Sequence, residues 1–388
     1  MIVLDDRLLA LRGQVREWAA DFRAGALALD RDPDRIHERL GLPAVRYLST
    51  LMIPPEYGAP PTRLGKHVFH GTGALERVVA LEELACGDAG MMLGSPGPSM
   101  AGVLVELLAD ENQKQWFYGR LVDRPTWTFF ALTEPGRGSD ASGLQTSLNP
   151  RGPGPGGILT GAKRYIGNAT RAEVGVVFAR TKPGALGITA VLVDTAAGGF
   201  AAEPIETLGL RGARVSAVTL DAVDIPDEWV LGRHLSRARR GIWASTQTFH
   251  RLRPGVASIA IGIARAAYEY VLANRNAPSR DERDRLDLLG RRIEGARSLV
   301  HLAAVAGEAQ DGEGHLASAA KTRACRLAEE VTVQACGFFG AGARLEHPML
   351  DKFARDARGV EFMEGTGNIQ KLSVFRAMLM GKFAMDTA

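Results

Sequence analysis

Three cysteines are all that this 388-residue chain carries. Cys86, Cys325 and Cys336 are odd in number, at spacings that suit no metal-ligand set. Their scarcity excludes a disulfide scaffold and a cysteine metal centre, and it fits a reducing, cytoplasmic compartment. No run of about 18 apolar residues occurs, so no membrane span is expected. The start Met1-Ile2-Val3-Leu4-Asp5-Asp6 lacks the basic and apolar parts of a secretion signal. Lysine is scarce as well, since arginine supplies 39 of the 47 basic residues, and the net charge is only +3. With the alanine and glycine load, that bias reads as genomic base composition, and so small a charge gives no reason to expect a nucleic-acid partner. There is no internal repeat and no low-complexity tail.

What is present is ordinary globular material, 46% apolar and 23% charged, long enough for two or three domains. Residues 1–122 read as a helical domain. Leu8, Leu11, Val15, Trp18 and Phe22 share one helix face behind Asp5 and Asp6. Ile53-Pro54-Pro55-Glu56-Tyr57-Gly58 is a break. Val78 to Cys86 predicts a helix ending at Gly87, and Gly94 to Pro98 a loop, either a plain connection or a pocket rim. Residues 123–235 read as a central β domain, with strands at Trp127–Leu132, Val176–Ala179, Thr189–Val193 and Val215–Leu220, and a Pro/Gly turn at Asn149–Gly157. Residues 236–388 return to helical patterning over Phe249–Leu272, Leu286–Val305, Ala317–Gln334 and Ile369–Met380, enough for a four-helix bundle. The charge-dense Asn274–Asp287 is a solvated loop or helix end.

One stretch organises the rest: Glu364-Gly365-Thr366-Gly367-Asn368-Ile369-Gln370. Glycines let backbone N–H groups approach a ligand, Thr366 and Asn368 add polar contacts, and Glu364 is a candidate general base. A plain helix-capping turn gives the same pattern. Further stretches narrow the choice. Phe130-Ala131-Leu132-Thr133-Glu134-Pro135-Gly136-Arg137-Gly138-Ser139-Asp140 is a strand followed by a turn whose N–H groups and hydroxyls suit a polar ring edge or a diphosphate.

This stretch resembles the TEPxxGSD signature of the acyl-CoA dehydrogenases. Gly161-Ala162-Lys163-Arg164-Tyr165-Ile166-Gly167-Asn168 is similar to the family's G-x-K-x-W-I-T-N strand, with Tyr165 for Trp and Gly167 for a Thr that bonds the flavin N5. Gly209-Leu210-Arg211-Gly212 through Leu231-Gly232 resembles the end of the family's β domain. The resemblance covers most of the chain. It implies a mainly α architecture with a central β-barrel domain between an N-terminal helical domain and a C-terminal bundle. It also implies FAD. By resemblance Leu132 and Thr133 contact the flavin pyrimidine edge, on the strand that holds Phe130, and Ser139 contacts the flavin or the substrate's pantetheine arm. Tyr165, Ile166 and Gly167 line one ring face, with Thr366 and Asn368 near the cofactor.

Arg253 falls where the family places an arginine near the thioester arm, and a surface salt-bridge partner is the alternative. His250 stands where Asp is usual and also reads as a surface partner. Leu252 stands where some members carry their catalytic Glu, which leaves Glu364 as the filled base position, with Gly365 beside it at the substrate. Arg275-Asn276-Ala277-Pro278-Ser279-Arg280 lacks the Phe-Gly of the family's RxxFG, which reaches a neighbouring subunit's FAD. Gln334 and Gly337 lie in a displaced version of the QxxGGxG turn.

The activity implied is dehydrogenation of an acyl-CoA or acyl-carrier-protein thioester: Glu364 removes the α-proton and the β-hydride passes to flavin N5. An electron acceptor and a homotetramer or dimer are implied with it. The departures at Tyr165, Gly167, His250 and Pro278 point to a specialised member in secondary metabolism, such as the supply of polyketide extender units. A flavin-dependent monooxygenase on the same fold is the alternative, and a non-catalytic scaffold a third reading. No metal is expected.

Overall fold

A computed structural model describes residues 2–308 and 314–382. Asp5 accepts the Leu8 N–H at 2.8 Å and opens α1 (Asp6–Arg31), which buries Leu8, Leu11, Val15 and Phe22, while Trp18 is half-buried. α2 (Pro43–Thr50) follows. The all-helical expectation for this region misses a small antiparallel hairpin, β1 (Thr62–Leu64) and β2 (His67–Phe69). α3 (Ala74–Gly94) corrects another expectation, because Gly87 does not end it. The break comes at Asp88, which leaves helical geometry and accepts the Met91 N–H at 2.6 Å, capping the helix that resumes. Gly87 is there for close packing, since a Cβ would stand 2.4 Å from the Ala19 carbonyl. α4 (Ser99–Leu108) and α5 (Glu111–Asp123) complete the group.

The central elements are β3 (Thr128–Ala131), β4 (Ser147–Pro150), β5 (Gly157–Ile166), β6 (Val174–Arg180), β7 (Ile188–Asp194), β8 (Phe200–Pro204) and β9 (Ser216–Ile225). They form one sheet in the order β3-β6-β4-β5-β9-β8, with β7 also on β6. β6 is parallel to β3 and β4, and the other pairs are antiparallel. The sheet curls into a half-barrel. The Pro/Gly turn expected over Asn149–Gly157 occupies residues 151–156, since Asn149 and Pro150 end β4 and Gly157 opens β5. β6 and β7 are buried on both faces and read as continuous apolar runs, whereas β5 and β9 alternate.

Helices return with α6 (Gly241–Asn274), α7 (Arg280–Gly307), α8 (Gly314–Cys336), α9 (Ala343–Glu346), α10 (Pro348–Phe362) and α11 (Gly367–Leu379). α6 is apolar and long enough to cross a membrane, yet 72% of its most apolar window is buried within the protein. It is the core helix of the bundle, packed on α3, α7, α8 and α10. The connection between α6 and α7 is shorter than the charge-dense Asn274–Asp287 suggested, because Ser279 and Glu282 form a capping box that opens α7 at Arg280.

Two buried lysines fasten the layers. Lys163 on β5 donates to Glu134 at 2.9 Å and to the Leu132 carbonyl at 3.1 Å, while Glu134 also accepts the Thr146 N–H at 2.8 Å. Lys352 on α10 pairs with Asp88 on α3 and with Asp356 at 2.6 Å. Asp356 in turn accepts the Leu210 N–H at 2.6 Å, so one ammonium ties the N-terminal helices, the bundle and the segment before β9.

Candidate active site

Where the three groups of elements meet lies a cavity of about 170 Å³. Its walls come from α2 and α3, the Ser95–Ser99 segment, α6, the turn after α10, and Thr128 and Asn168 of the sheet region. The loop at 94–98 is therefore a pocket rim. Nine non-glycine residues of the described chain have positive φ, and four of them, Met52, Ser99, Asn168 and Glu364, line this one cavity. Such conformations are costly for side chains with a Cβ and concentrate at functional sites. A separate cavity of about 310 Å³ is lined by Glu82, Glu83, Arg265 and Arg297, but these pair with one another and leave no free valence.

Glu364 is the only carboxylate among the residues lining the first cavity. Its backbone is left-handed at φ 51°, and a dense set of donors holds the turn. Gln370 Nε2 donates to the Glu364 and Gly365 carbonyls at 3.0 Å each. Buried Lys321 donates to the Gly365 carbonyl and, at 2.8 Å, to that of Glu361. Glu361 accepts the Gly367 N–H at 2.6 Å. The backbone is thus fixed while the Glu364 Oε2 is buried with no hydrogen-bond partner. Burial pushes its pKa up to about 8, against the opposing charges of Arg253 and Lys321.

Arg253 is buried, not a surface partner; its Nε approaches the Glu364 carbonyl at 3.4 Å. His250 is corrected likewise. Its ring is half-buried against Gly314, where a Cβ would meet it at 2.4 Å. Burial, then Arg253, bring its pKa down to about 4, so it is neutral and no ion-pair partner. Leu252 lines the cavity as well, a hydrocarbon wall beside Glu364.

The expected cofactor positions divide. Thr133 is half-buried and Ser139 exposed, and neither hydroxyl has a hydrogen-bond partner among the described residues. A Cβ at Gly136 or Gly138 would meet nothing within 4 Å. Tyr165 presents an exposed ring at φ 64°, and Gly167 has only the Ala213 carbonyl near it, at 3.8 Å. Free hydroxyls, an exposed aromatic ring that meets the Arg164 guanidinium at 5.5 Å, and uncrowded glycines beside the sheet fit a planar ring with polar edges, as the flavin of FAD has. Two expected contacts are restricted to backbone. Ile166 is 2% exposed in the core, and the carbonyl of buried Leu132 is taken by Lys163. Phe130 packs edge-on against Phe178 and Phe249, joining the sheet to α6.

Thr366 caps α11 without a side-chain bond, and Asn368 is exposed on its first turn. Arg275, Gln334 and Gly337 lie elsewhere. Arg275 pairs with Glu282 and stands 22 residues, about 33 Å, along α6 from Arg253. Gln334 is 16 residues, about 24 Å, along α8 from Ser318, which meets Arg253. A single chain does not bring these three to Glu364.

Sequence reasoning missed Lys321 and Glu361, and it gave no role to Gln370, the last residue of the organising stretch. Lys321 does leave a signal, because it interrupts the buried stripe Ala317, Ala320, Ala324 and Ala328 of α8, where a charge needs a dedicated partner. Among the described residues no three His, Cys, Asp or Glu side chains converge as a metal set.

Comparison with known proteins bears on the family and the fold. Residues 129–223 match the acyl-CoA dehydrogenase middle domain and residues 239–379 the acyl-CoA dehydrogenase C-terminal domain. The chain is 28% identical to a probable medium-chain specific acyl-CoA dehydrogenase of Caenorhabditis briggsae over 86% of its own length and 80% of the relative's. It is 29% identical to cyclohexane-1-carbonyl-CoA dehydrogenase of Geobacter metallireducens, over 86% of each. The solved butyryl-CoA dehydrogenase of Megasphaera elsdenii superposes with a TM-score of 0.82 at 26% identity, over 98% of this chain and 100% of that one. The prolyl acyl carrier protein oxidase AnaB shares the fold at a TM-score of 0.82 and 21% identity, over 97% and 100%.

Proposed function

From the premise that the chain belongs to the acyl-CoA dehydrogenase family and is an FAD-dependent oxidoreductase, we propose that it dehydrogenates an acyl thioester across its α and β carbons, with Glu364 removing the α-proton. The observation that carries this reading is the single, unpartnered carboxylate of the cavity. A thioester α-hydrogen is weakly acidic, so the base must be desolvated, near the operating pH in pKa, and fixed in place. Burial supplies the first two, and the Lys321–Gln370–Arg253 clasp supplies the third. The Glu364 backbone N–H, on a turn whose carbonyls are already bonded, is the donor for the thioester carbonyl, where charge develops as the proton leaves. Leu252 and the apolar walls exclude water from the carboxylate.

FAD supplies the acceptor for the β-hydride, held by Thr133, Ser139, Tyr165 and Gly167, with Leu132 and Ile166 contributing backbone. The positions of Arg275, Gln334 and Gly337, far from Glu364 along their helices, favour a homo-oligomer in which they serve a neighbour's cofactor. A carboxylate inside the cavity favours dehydrogenation over oxygen insertion. A carrier-protein thioester of secondary metabolism remains within the reading, supported by the departures at Tyr165, Gly167 and His250.

The test is α-proton exchange. A thioester deuterated at Cα, with a sulfur at the β position so that oxidation is blocked, loses its label to solvent with the wild-type protein. With Glu364→Gln the exchange falls at least 100-fold; exchange at the wild-type rate overturns the assignment.

A further inference from the structure

Two arginines share the cavity with Glu364, and neither has an ion-pair partner among the described residues. Arg77, on the first turn of α3, donates to the Thr72 carbonyl, which leaves its other guanidinium N–H groups without a partner. Arg251, on α6 one turn before Gly255, is exposed. Burial lowers the Arg77 pKa and the like charge of Arg251 lowers it further. Glu308 and, more weakly, Glu76 oppose both, but those carboxylates are already engaged, Glu308 by the Ala74 N–H and Glu76 by Arg7 and the Gly71 N–H. The two cations line one cavity with no ion-pair partner for either, and each is stabilised by an anion arriving there.

The Glu364 carboxyl responds to Arg253 and Lys321 but to neither of these arginines, so the cationic pair occupies a separate part of the cavity. Much of the wall is hydrocarbon, with Leu51, Met52, Val78, Leu81, Leu252 and Ile259, and its neutral polar members are Ser95, Ser99, Thr128 and Asn168. Such a wall suits an alkyl chain. We infer that the acyl group accepted here ends in a carboxylate, received by Arg77 and Arg251, while its thioester end lies at Glu364. The inference rests on the thioester reading of the site and adds the substrate class.

The test reads binding rather than turnover. FAD-loaded Glu364→Gln protein is titrated with two series of CoA thioesters of four to eight carbons, matched in length, one ending in a carboxylate and one in a methyl group. At the best-fitting length the carboxylate series binds at least tenfold tighter, which is about 1.4 kcal/mol. Adding Arg251→Met brings that ratio below threefold. Arg77→Met does the same, with FAD content and melting temperature checked alongside, and exposed Arg251 keeps the test decisive if Arg77→Met fails to fold. Equal or weaker binding of the carboxylate series at every length overturns the inference. So does an Arg251→Met protein that weakens both series in proportion, which assigns the arginine to a phosphate of the carrier. A failure of Glu364 as base leaves these ratios unchanged, so the two readings fail separately.

Discussion

A carboxyl group removed from water holds its proton more tightly, and Glu364 is such a group, with a pKa near 8. For a base this sets the pH profile. Measured as kcat/KM, which reports the free enzyme, activity should climb about tenfold per pH unit below 8 and level off above it, roughly 100-fold between pH 6 and the plateau. The same shift fixes the sign of a stability effect. The folded pKa lies above the unfolded 4.5, so the folded state binds the extra proton between pH 4.5 and 8, and stability falls as pH rises through that window. Glu364→Gln removes the penalty. Differential scanning calorimetry should show it level with wild type near pH 5 and about 2–4 °C more stable at pH 8.5; a gain largest at pH 5 contradicts the assignment. Residue choice elsewhere follows the same physics. Of only eight lysines in an arginine-rich chain, Lys163, Lys321 and Lys352 are almost wholly buried. Each sits where a compact ammonium with three donors serves oxygens from several directions, a task that the planar guanidinium fork performs poorly.

Among the elements, the turn between α10 and α11 depends on Lys321 of α8. Lys321→Met removes the donor that serves the Glu361 and Gly365 carbonyls, so Glu364 loses its fixed geometry. The expected result is a loss of 10- to 100-fold in kcat with FAD content unchanged, and Lys321→Arg should not restore it. Unchanged kcat in Lys321→Met would show that the turn holds itself. Element-level features also divide what the sequence discloses from what it hides. The stripe of α1 and the apolar runs of β6 and β7 are local patterns and are legible. The kink at Asp88 is not, because Gly87 resembles a helix end until Ala19 and Lys352 are known to pack there. β1, β2 and β8 are short and half-exposed, so their alternation carries little signal and only the partner strand defines them. The site follows the same division. Glu364, Thr133 and Ser139 stand in contiguous motifs, whereas Lys321 and Arg77 come from distant segments with no motif of their own, Lys321 to the Glu364 turn and Arg77 to the cavity wall.

Across the whole molecule, the cavity exists only because three groups of elements close on it, and the Lys352–Asp88–Asp356 cluster is where they are fastened. Removing the ammonium leaves two carboxylates buried with no cation beside them. Lys352→Met should therefore lose about 3–5 kcal/mol, a fall in melting temperature on the order of 5–10 °C. Further substitution of Asp88 and Asp356 by Asn should recover part of it, which a thermal melt of the triple variant checks. The central claim concerns the assembled site, in which a thioester lies between Glu364 and FAD. Its most direct test is anaerobic mixing of the FAD-loaded protein with a panel of acyl-CoA and acyl-carrier-protein thioesters, following flavin absorbance. The account predicts rapid bleaching by at least one thioester in the wild type, and in Glu364→Gln a bound flavin that stays oxidised at least 1,000-fold longer. Bleaching at the same rate in both proteins, or a flavin that no thioester bleaches, would contradict it.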